Sequence, residues 1–237
     1  TSYSQKSYNN QLGVLVSILN LNLKSKFAIF EMGTNNFNEI KYLTKIVKPT
    51  EIFITNIQST HLQNFKTKKN IALEKSDIFI SKFNPVRNKL YLNISNEFEK
   101  YILNKAKKEK KLQVVRIDKF SKKYFIKKII NKKNYSQVIF SINKKFISIN
   151  IKSVVSFRLT NLLFCYAFFS ENSLDIKNIT QRQKYLKPVG GRGSQHNIFV
   201  NKKRIKLIDE SYNANPDTMI QSVNYFKNIK KKFNKKI

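Results

Sequence analysis

Residues 26–57 read KFAIFEMGTNNFNEIKYLTKIVKPTEIFITNI. The apolar run Lys26–Met32 ends at Gly33 and has the length and composition of a buried strand. Residues 37–47 place apolar side chains at helical spacing, and Pro49 stops them. Residues 51–57 form a second short apolar run. Strand, helix and strand in this order make a βαβ unit, whose strands run parallel.

The same alternation continues downstream. A helix is expected over 68–83, ended by Pro85, then a strand over 89–94, a lysine-rich helix over 97–111 and a strand over 112–117. Upstream, apolar residues at 12, 15, 16, 19 and 23 form a helical stripe. The pattern then changes. Residues 124–130, 136–142 and 145–151 read as strands with no helix between them, and Asn143-Lys144 offers a hairpin turn. Helices are expected over 157–169 and 176–185, and a strand pair over 196–200 and 204–209. Asn215-Pro216-Asp217 opens a last helix, with Asn as cap, Pro in the first turn and Asp favouring the dipole. The fold class is α/β: a mostly parallel sheet flanked by helices, with a small antiparallel sheet beside it. Three of the five glycines lie at 190, 191 and 193, which places a domain boundary near 190–215.

Hydrophobic residues make up 41% of the 237, enough for a core and too many for a disordered chain. The longest apolar run, 162–169, falls short of the roughly 20 residues a bilayer span requires. A lone cysteine, Cys165, sits in that run; it has no internal disulfide partner and is expected to be a buried, inert thiol in a reducing cytosol. The net charge of +32 invites a nucleic-acid-binding reading. Three features weaken it. The cations are nearly all lysine, whereas bidentate phosphate and base contacts favour arginine. The lysines are spread along the whole chain. Lys, Asn, Ile, Phe and Tyr are enriched together, as A/T-rich codons would make them.

Five stretches carry candidate chemistry. Glu31-Met32-Gly33 ends a strand, where ligands of open α/β sheets bind, and its carboxylate suits a hard cation such as Mg²⁺. Thr55-Asn56-Ile57 followed by His61-Leu62 lies beyond the next strand, and its end is expected beside the first. Lys75 stands in Ala72–Phe79, and among so many lysines it says nothing by itself. Pro188-Val189-Gly190-Gly191-Arg192-Gly193 could cradle an anion on backbone N–H groups and one guanidinium, or simply form an interdomain turn. Asp209-Glu210-Ser211-Tyr212-Asn213-Ala214-Asn215-Pro216 joins a strand's carboxylates to a capped helix, a turn suited to ribose or phosphate.

In this order the pieces resemble the Mur ligases, ATP-dependent amide-forming enzymes of peptidoglycan precursor synthesis. Ser7-Tyr8-Asn9-Asn10-Gln11-Leu12-Gly13-Val14 looks like the family's segment following its phosphate loop, and Ser211–Pro216 is the most specific element. The resemblance implies a P-loop-type central ATPase domain over 1–188, lacking its Gly-rich Lys-Thr/Ser loop. It also implies the start of a Rossmann-like C-terminal domain over 189–237. It implies ATP and Mg²⁺ as cofactors, with Glu31 and His61 holding metal and Lys75, as a carbamate, helping. Asn161, Arg192, Asp209 and Glu210 would face the nucleotide, and Asn9, Asn10, Tyr212, Asn213 and Asn215 the substrates. The implied substrates are UDP-N-acetylmuramoyl-tripeptide and D-alanyl-D-alanine, joined in the cytoplasm by a protein monomeric at full length. This chain alone is expected to be inactive. The sequence departs from the family at Leu15 (usually Pro), Gln58 (usually Gly), Phe157-Arg158 (usually His-Asn) and Glu210 (usually Asp). A folylpolyglutamate-type ligase of the same fold and a basic nucleic-acid-binding module are the alternatives.

Overall fold

A computed structural model of the chain describes residues 1–5, 7–93, 97–117, 121–132, 135–151, 156–183, 190–212 and 216–228, the side chains of 156–158 and 228 excepted. In chain order the elements are β1 (Ser2–Tyr3), α1 (Gln11–Leu19), β2 (Ala28–Ile29), α2 (Glu39–Val47), β3 (Glu51–Ile54), α3 (Leu62–Phe65), α4 (Lys68–Ser76), β4 (Asn88–Asn93) and α5 (Glu99–Ala106). There follow β5 (Leu112–Ile117), β6 (Tyr124–Asn131), β7 (Ser136–Ile142), β8 (Lys145–Ile151), α6 (Ser156–Glu171), α7 (Ile176–Arg182), β9 (Ser194–Val200), β10 (Lys203–Asp209) and α8 (Pro216–Asn228). Two compact units form: Thr1–Ile57 with His61–Ile176, and Lys177–Ile237 with the short piece Gln58–Thr60.

The first unit is built on a six-stranded sheet ordered β3-β4-β5-β6-β7-β8. β3, β4 and β5 are parallel, as the βαβ pattern requires. Among the described residues β6 joins β5, in parallel, through the pair Ile117↔Tyr124, and β6, β7 and β8 then run antiparallel. The antiparallel strands therefore continue the same sheet rather than forming a separate one. Asn143 and Lys144 close β7 to β8 with φ of 48° and 70°, the left-handed pair a two-residue hairpin turn demands.

Strand alternation sends successive residues to opposite faces. On one face Ile52, Ile54, Leu90 and Leu92 pack with Ile71 and Ala72 of α4, Ile102 and Ala106 of α5, and Phe65 and Phe79. On the other, Phe53 stacks on its cross-strand neighbour Tyr91 at 4.6 Å, and both rings meet Phe168 of α6. The Tyr124 hydroxyl donates to Glu171 Oε1 (2.6 Å), tying the end of α6 to β6.

Several expected elements come out shorter. The strand expected over 26–32 contracts to Ala28–Ile29, because its partner β1 offers only two residues. β2 bonds to β1 and β3 to β4, so no ladder places β2 beside β3 among the described residues. The helix expected over 68–83 stops at Ser76, whose hydroxyl turns back to Ala72 O (2.6 Å), and tightens into a 3-10 turn at Asp77–Phe79. The helix expected over 97–111 ends at Ala106; continuing it would set Lys107 against Lys110 and Lys111 on one face, where like charges repel. Cys165, expected buried, is exposed. α6 turns Leu162, Leu163, Phe164, Tyr166 and Ala167 inward, and Cys165 shares the outer face with Asn161. Local crowding still pushes its thiol pKa up.

In the second unit β9 and β10 pair antiparallel, closed by Asn201 and Lys202 with φ of 48° and 61°. The Asp217 carboxylate, expected to serve the dipole of α8, accepts the Ser59 backbone N–H at 2.9 Å within the same unit. No helix among the described residues is long and apolar enough to cross a membrane.

Candidate active site

The parallel pairing of β1 with β2 runs the segment after β1 alongside the segment after β2. That brings Asn9 to Glu31. The Asn9 side-chain amide donates to Glu31 Oε1 (3.0 Å), and the Asn9 backbone carbonyl accepts the Gly33 N–H (2.8 Å). A Cβ on Gly33 would lie 2.9 Å from Asn9 Cγ, so a larger residue would push the Asn9 side chain from its place beside Glu31. Asn10 caps α1 instead, its Oδ1 accepting the Gly13 N–H at 2.8 Å.

Lys75, on α4, is half-buried. Burial pulls its ammonium below its ordinary value of 10.5, and the Glu31 carboxylate partly restores it. The structure thus brings Asn9, Glu31 and Lys75 into one electrostatic neighbourhood. His61 stands at the start of α3 in a left-handed conformation (φ 54°), exposed, with its carbonyl accepting from Asn64 and Phe65. No hydrogen bond or ion pair among the described residues joins its ring to Glu31 or Lys75.

Sequence reasoning passed over Glu74. It is 2% exposed. Its Oε2 accepts the Asn38 N–H (2.8 Å), and its Oε1 the Ile40 N–H (2.8 Å) and the Thr34 hydroxyl (3.3 Å). Burial pushes its carboxyl up against the pull of these donors, and Asp77 nearby adds to the rise. The missed signal was an acid at a position of α4 flanked by the buried Ile71, Ala72 and Phe79. On the same segment Glu39 accepts from the Asn35 and Asn36 backbones (2.7 and 3.2 Å); those bonds hold its carboxyl low although burial opposes them. Asn64 of α3 donates to Asn35 O at 2.9 Å, so the segments following β2 and β3 meet through side chains rather than through strand ends.

Magnesium takes few protein ligands and completes its octahedron with water and phosphate oxygens. Among the described residues no group of three or more His, Cys, Asp and Glu gathers to cage a metal. Glu31 Oε1 accepts from Asn9, and no hydrogen bond among the described residues reaches its Oε2, which leaves one carboxylate oxygen that could meet such an ion.

The lowered pKa of Lys75 makes stability pH-dependent. The unfolded chain holds the proton up to 10.5 and the folded chain releases it earlier, so stability rises with pH between the two values. Lys75→Met is expected to remove that rise and to be more stable than the parent below it. Urea midpoints measured from pH 7 to 10 check this; a parent with no rise would show that Lys75 titrates normally.

In the second unit, Asp209 organises the glycine turn. Its Oδ2 accepts from Gly191 N (3.1 Å) and the Ser194 hydroxyl (3.4 Å), and its Oδ1 from the backbone and hydroxyl of Ser211 (3.1 and 2.7 Å). Serine donors and backbone amides hold its carboxyl low. Gly191 has φ +71°, and a Cβ there would strike Tyr212. The Arg192 guanidinium lies over the Tyr212 ring at 4.5 Å. Glu210 is half-buried beyond β10, and Asn161 is exposed on α6. Asn213 and Asn215 lie outside the described residues, as do the side chains of Phe157 and Arg158.

With this arrangement in place, residues 1–169 match the Mur ligase middle domain. The chain belongs to the Mur ligase family. The UDP-N-acetylmuramoyl-tripeptide–D-alanyl-D-alanine ligase of Rickettsia prowazekii is 31% identical over 236 residues, covering 95% of this chain and 49% of that protein. The chain therefore spans about half the length of the curated relatives it matches over most of its own length. Among solved structures, MurF from Acinetobacter baumannii superposes with a TM-score of 0.83 at 22% identity, covering 95% of this chain and 48% of that one. MurF ligase from Thermotoga maritima in complex with ADP superposes at 0.76 and 20% identity, covering 95% and 50%. For a Mur ligase, Gln58 at a usual glycine position is sterically explained here. The left-handed conformation of that turn falls on His61, and Gln58 is not among the residues with positive φ.

Proposed function

We propose that this chain is part of an ATP-dependent ligase that joins D-alanyl-D-alanine to UDP-N-acetylmuramoyl-tripeptide in cytoplasmic peptidoglycan precursor synthesis, acting as a monomer at full length. The observation that carries the proposal is the 31% identity across 95% of the chain to a ligase of that name. The hydrogen-bonded trio of Asn9, Glu31 and Gly33 supports it.

In the proposed reaction a carboxylate oxygen of the tripeptide attacks the γ-phosphorus of ATP, and ADP leaves. The amine of D-alanyl-D-alanine then attacks the acyl carbon. Phosphate departs with the acyl C–O bond, the amine loses its proton, and an amide remains. Bound Mg²⁺ would supply charge neutralisation at the γ-phosphate. Glu31 would hold it, with Asn9 fixing the carboxylate's orientation. Lys75 is proposed to act as a carbamate: its amine must be neutral to add CO₂, and burial favours that form. His61 would reach a second cation. Arg192, braced by Tyr212 and by the turn that Asp209 organises, would face the nucleotide with Glu210 and Asn161. Asn9, Tyr212, Asn213 and Asn215 would line the substrate side, and Asn10 would act by fixing the start of α1. We assign 1–188 to the central domain and 189–237 to the C-terminal one; the chain alone is proposed to be inactive.

The test is phosphate release by the uninterrupted open reading frame that contains this chain, given ATP, Mg²⁺ and the two substrates. Release that requires both substrates is the expected result. Release with neither, or none at all, would overturn the reading.

A further inference from the structure

Glu74 and Lys75 are adjacent on α4, yet they address opposite sides of Gly33. Lys75 interacts electrostatically with Glu31, two residues before the glycine. Glu74 binds Thr34, Asn38 and Ile40, all after it. Asn38, the residue before α2, is left-handed, and its own side chain makes no cap hydrogen bond. The amides around the start of α2 are instead satisfied by Glu74, a carboxylate 36 positions along the chain from Asn38. A buried carboxylate is expensive to maintain for a structural cap, since an Asp, Ser or Asn at the helix start would serve locally. What the distant carboxylate adds is a fixed distance between α4 and the segment leaving Glu31.

We propose that Glu74 is a positioning residue: by clamping residues 34–40 to α4, it sets the separation of Glu31 from Lys75. The inference rests on the metal-site reading of Glu31 and Lys75, and Glu74 itself touches neither metal nor substrate. Asn9 holds the Glu31 side from one direction, through the Gly33 N–H and Oε1, and Glu74 holds the following segment from the other. Glu31 is thus bracketed on both sides of a glycine that cannot itself resist rotation.

The experiment uses the uninterrupted open reading frame that contains this chain, ¹⁵N-labelled, as wild type, Glu74→Gln and Glu74→Asp. Glu74→Gln preserves shape and one acceptor oxygen but turns an NH₂ toward a backbone N–H. Amide hydrogen exchange reports the clamp at Asn38 and Ile40. The Gly33 amide and the Asn9 side-chain amide report Glu31. Mn²⁺ binding, read by electron paramagnetic resonance with ATP present, reports the cation. Glu74→Gln is expected to speed exchange at Asn38 and Ile40, to shift both the Gly33 and Asn9 resonances, and to weaken Mn²⁺ about tenfold or more. Glu74→Asp is expected to restore part of all three, which guards against simple unfolding. Faster exchange at Asn38 and Ile40 with Gly33 and Asn9 unmoved would overturn the proposal, leaving Glu74 a cap for α2 alone. A wild type that binds no Mn²⁺ while the Gly33 and Asn9 shifts appear would sink the metal reading and keep the positional one.

Discussion

Leu90→Ala is expected to destabilise the first unit by about 3 kcal/mol, within the range for fully buried leucines. Leu90 is 0% exposed. It lies in β4, between β3 and β5, with Ile52 and Ile54 beside it and α4 and α5 above. Both flanking strands are held by the parallel ladder, so the walls of the new cavity cannot close by sliding one strand. The removed methyl groups lose their transfer free energy, and the void left behind adds to the cost. Leu23→Ala makes the same chemical change at a residue 94% exposed and is expected to stay within about 0.5 kcal/mol of the parent. Urea unfolding followed by far-ultraviolet circular dichroism distinguishes them. The midpoint should fall for Leu90→Ala while the slope holds. Equal midpoints for the two variants would mean that the three-layer packing around β4 is wrong.

In the uninterrupted open reading frame, Glu31→Gln is expected to weaken Mn²⁺ binding in the presence of ATP by about 100-fold, equivalent to roughly 2.7 kcal/mol. The substitution keeps the shape of the side chain and leaves an oxygen for the Asn9 amide to bond. It removes only the charge, so packing at Gly33 should be untouched. Glu97→Gln serves as the control: this carboxylate is exposed and paired with Lys68 at 3.3 Å, and its loss should leave Mn²⁺ affinity unchanged. If both variants bind as the parent does, Glu31 is not a metal ligand, and the Asn9–Glu31 bond is only a fastening between two segments. If Glu97→Gln also loses affinity, the effect is one of overall charge.

These two predictions draw on different kinds of legibility. Leu90 could be placed from sequence because residues 89–94 read as a strand and its neighbours share one face by alternation. The antiparallel strands were readable to the residue at 136–142 and 145–151, and Asn143-Lys144 forms the turn expected of it. Asn9, Glu31 and Gly33 could be singled out from sequence, and the structure joins them. His61 could be singled out too, yet no described contact brings it to Glu31 or Lys75.

The α/β class, the order of most elements, the break at Pro49 and the Asn143-Lys144 hairpin turn follow from the residues alone. Each of these is a local property: side-chain period, a missing amide hydrogen, an allowed positive φ. The tertiary structure alone decided that the strand over 26–32 shrinks to Ala28–Ile29, that Cys165 faces outward, that Asp209 spends its oxygens on its own turn, and that Glu74 caps a helix it does not belong to. A strand can be no longer than its partner, and a carboxylate can choose among donors anywhere the fold brings them. Glu74 and Ile40 stand 34 positions apart in the chain, beyond the reach of any periodicity, and only the packing of α4 against the segment after β2 puts them 2.8 Å apart.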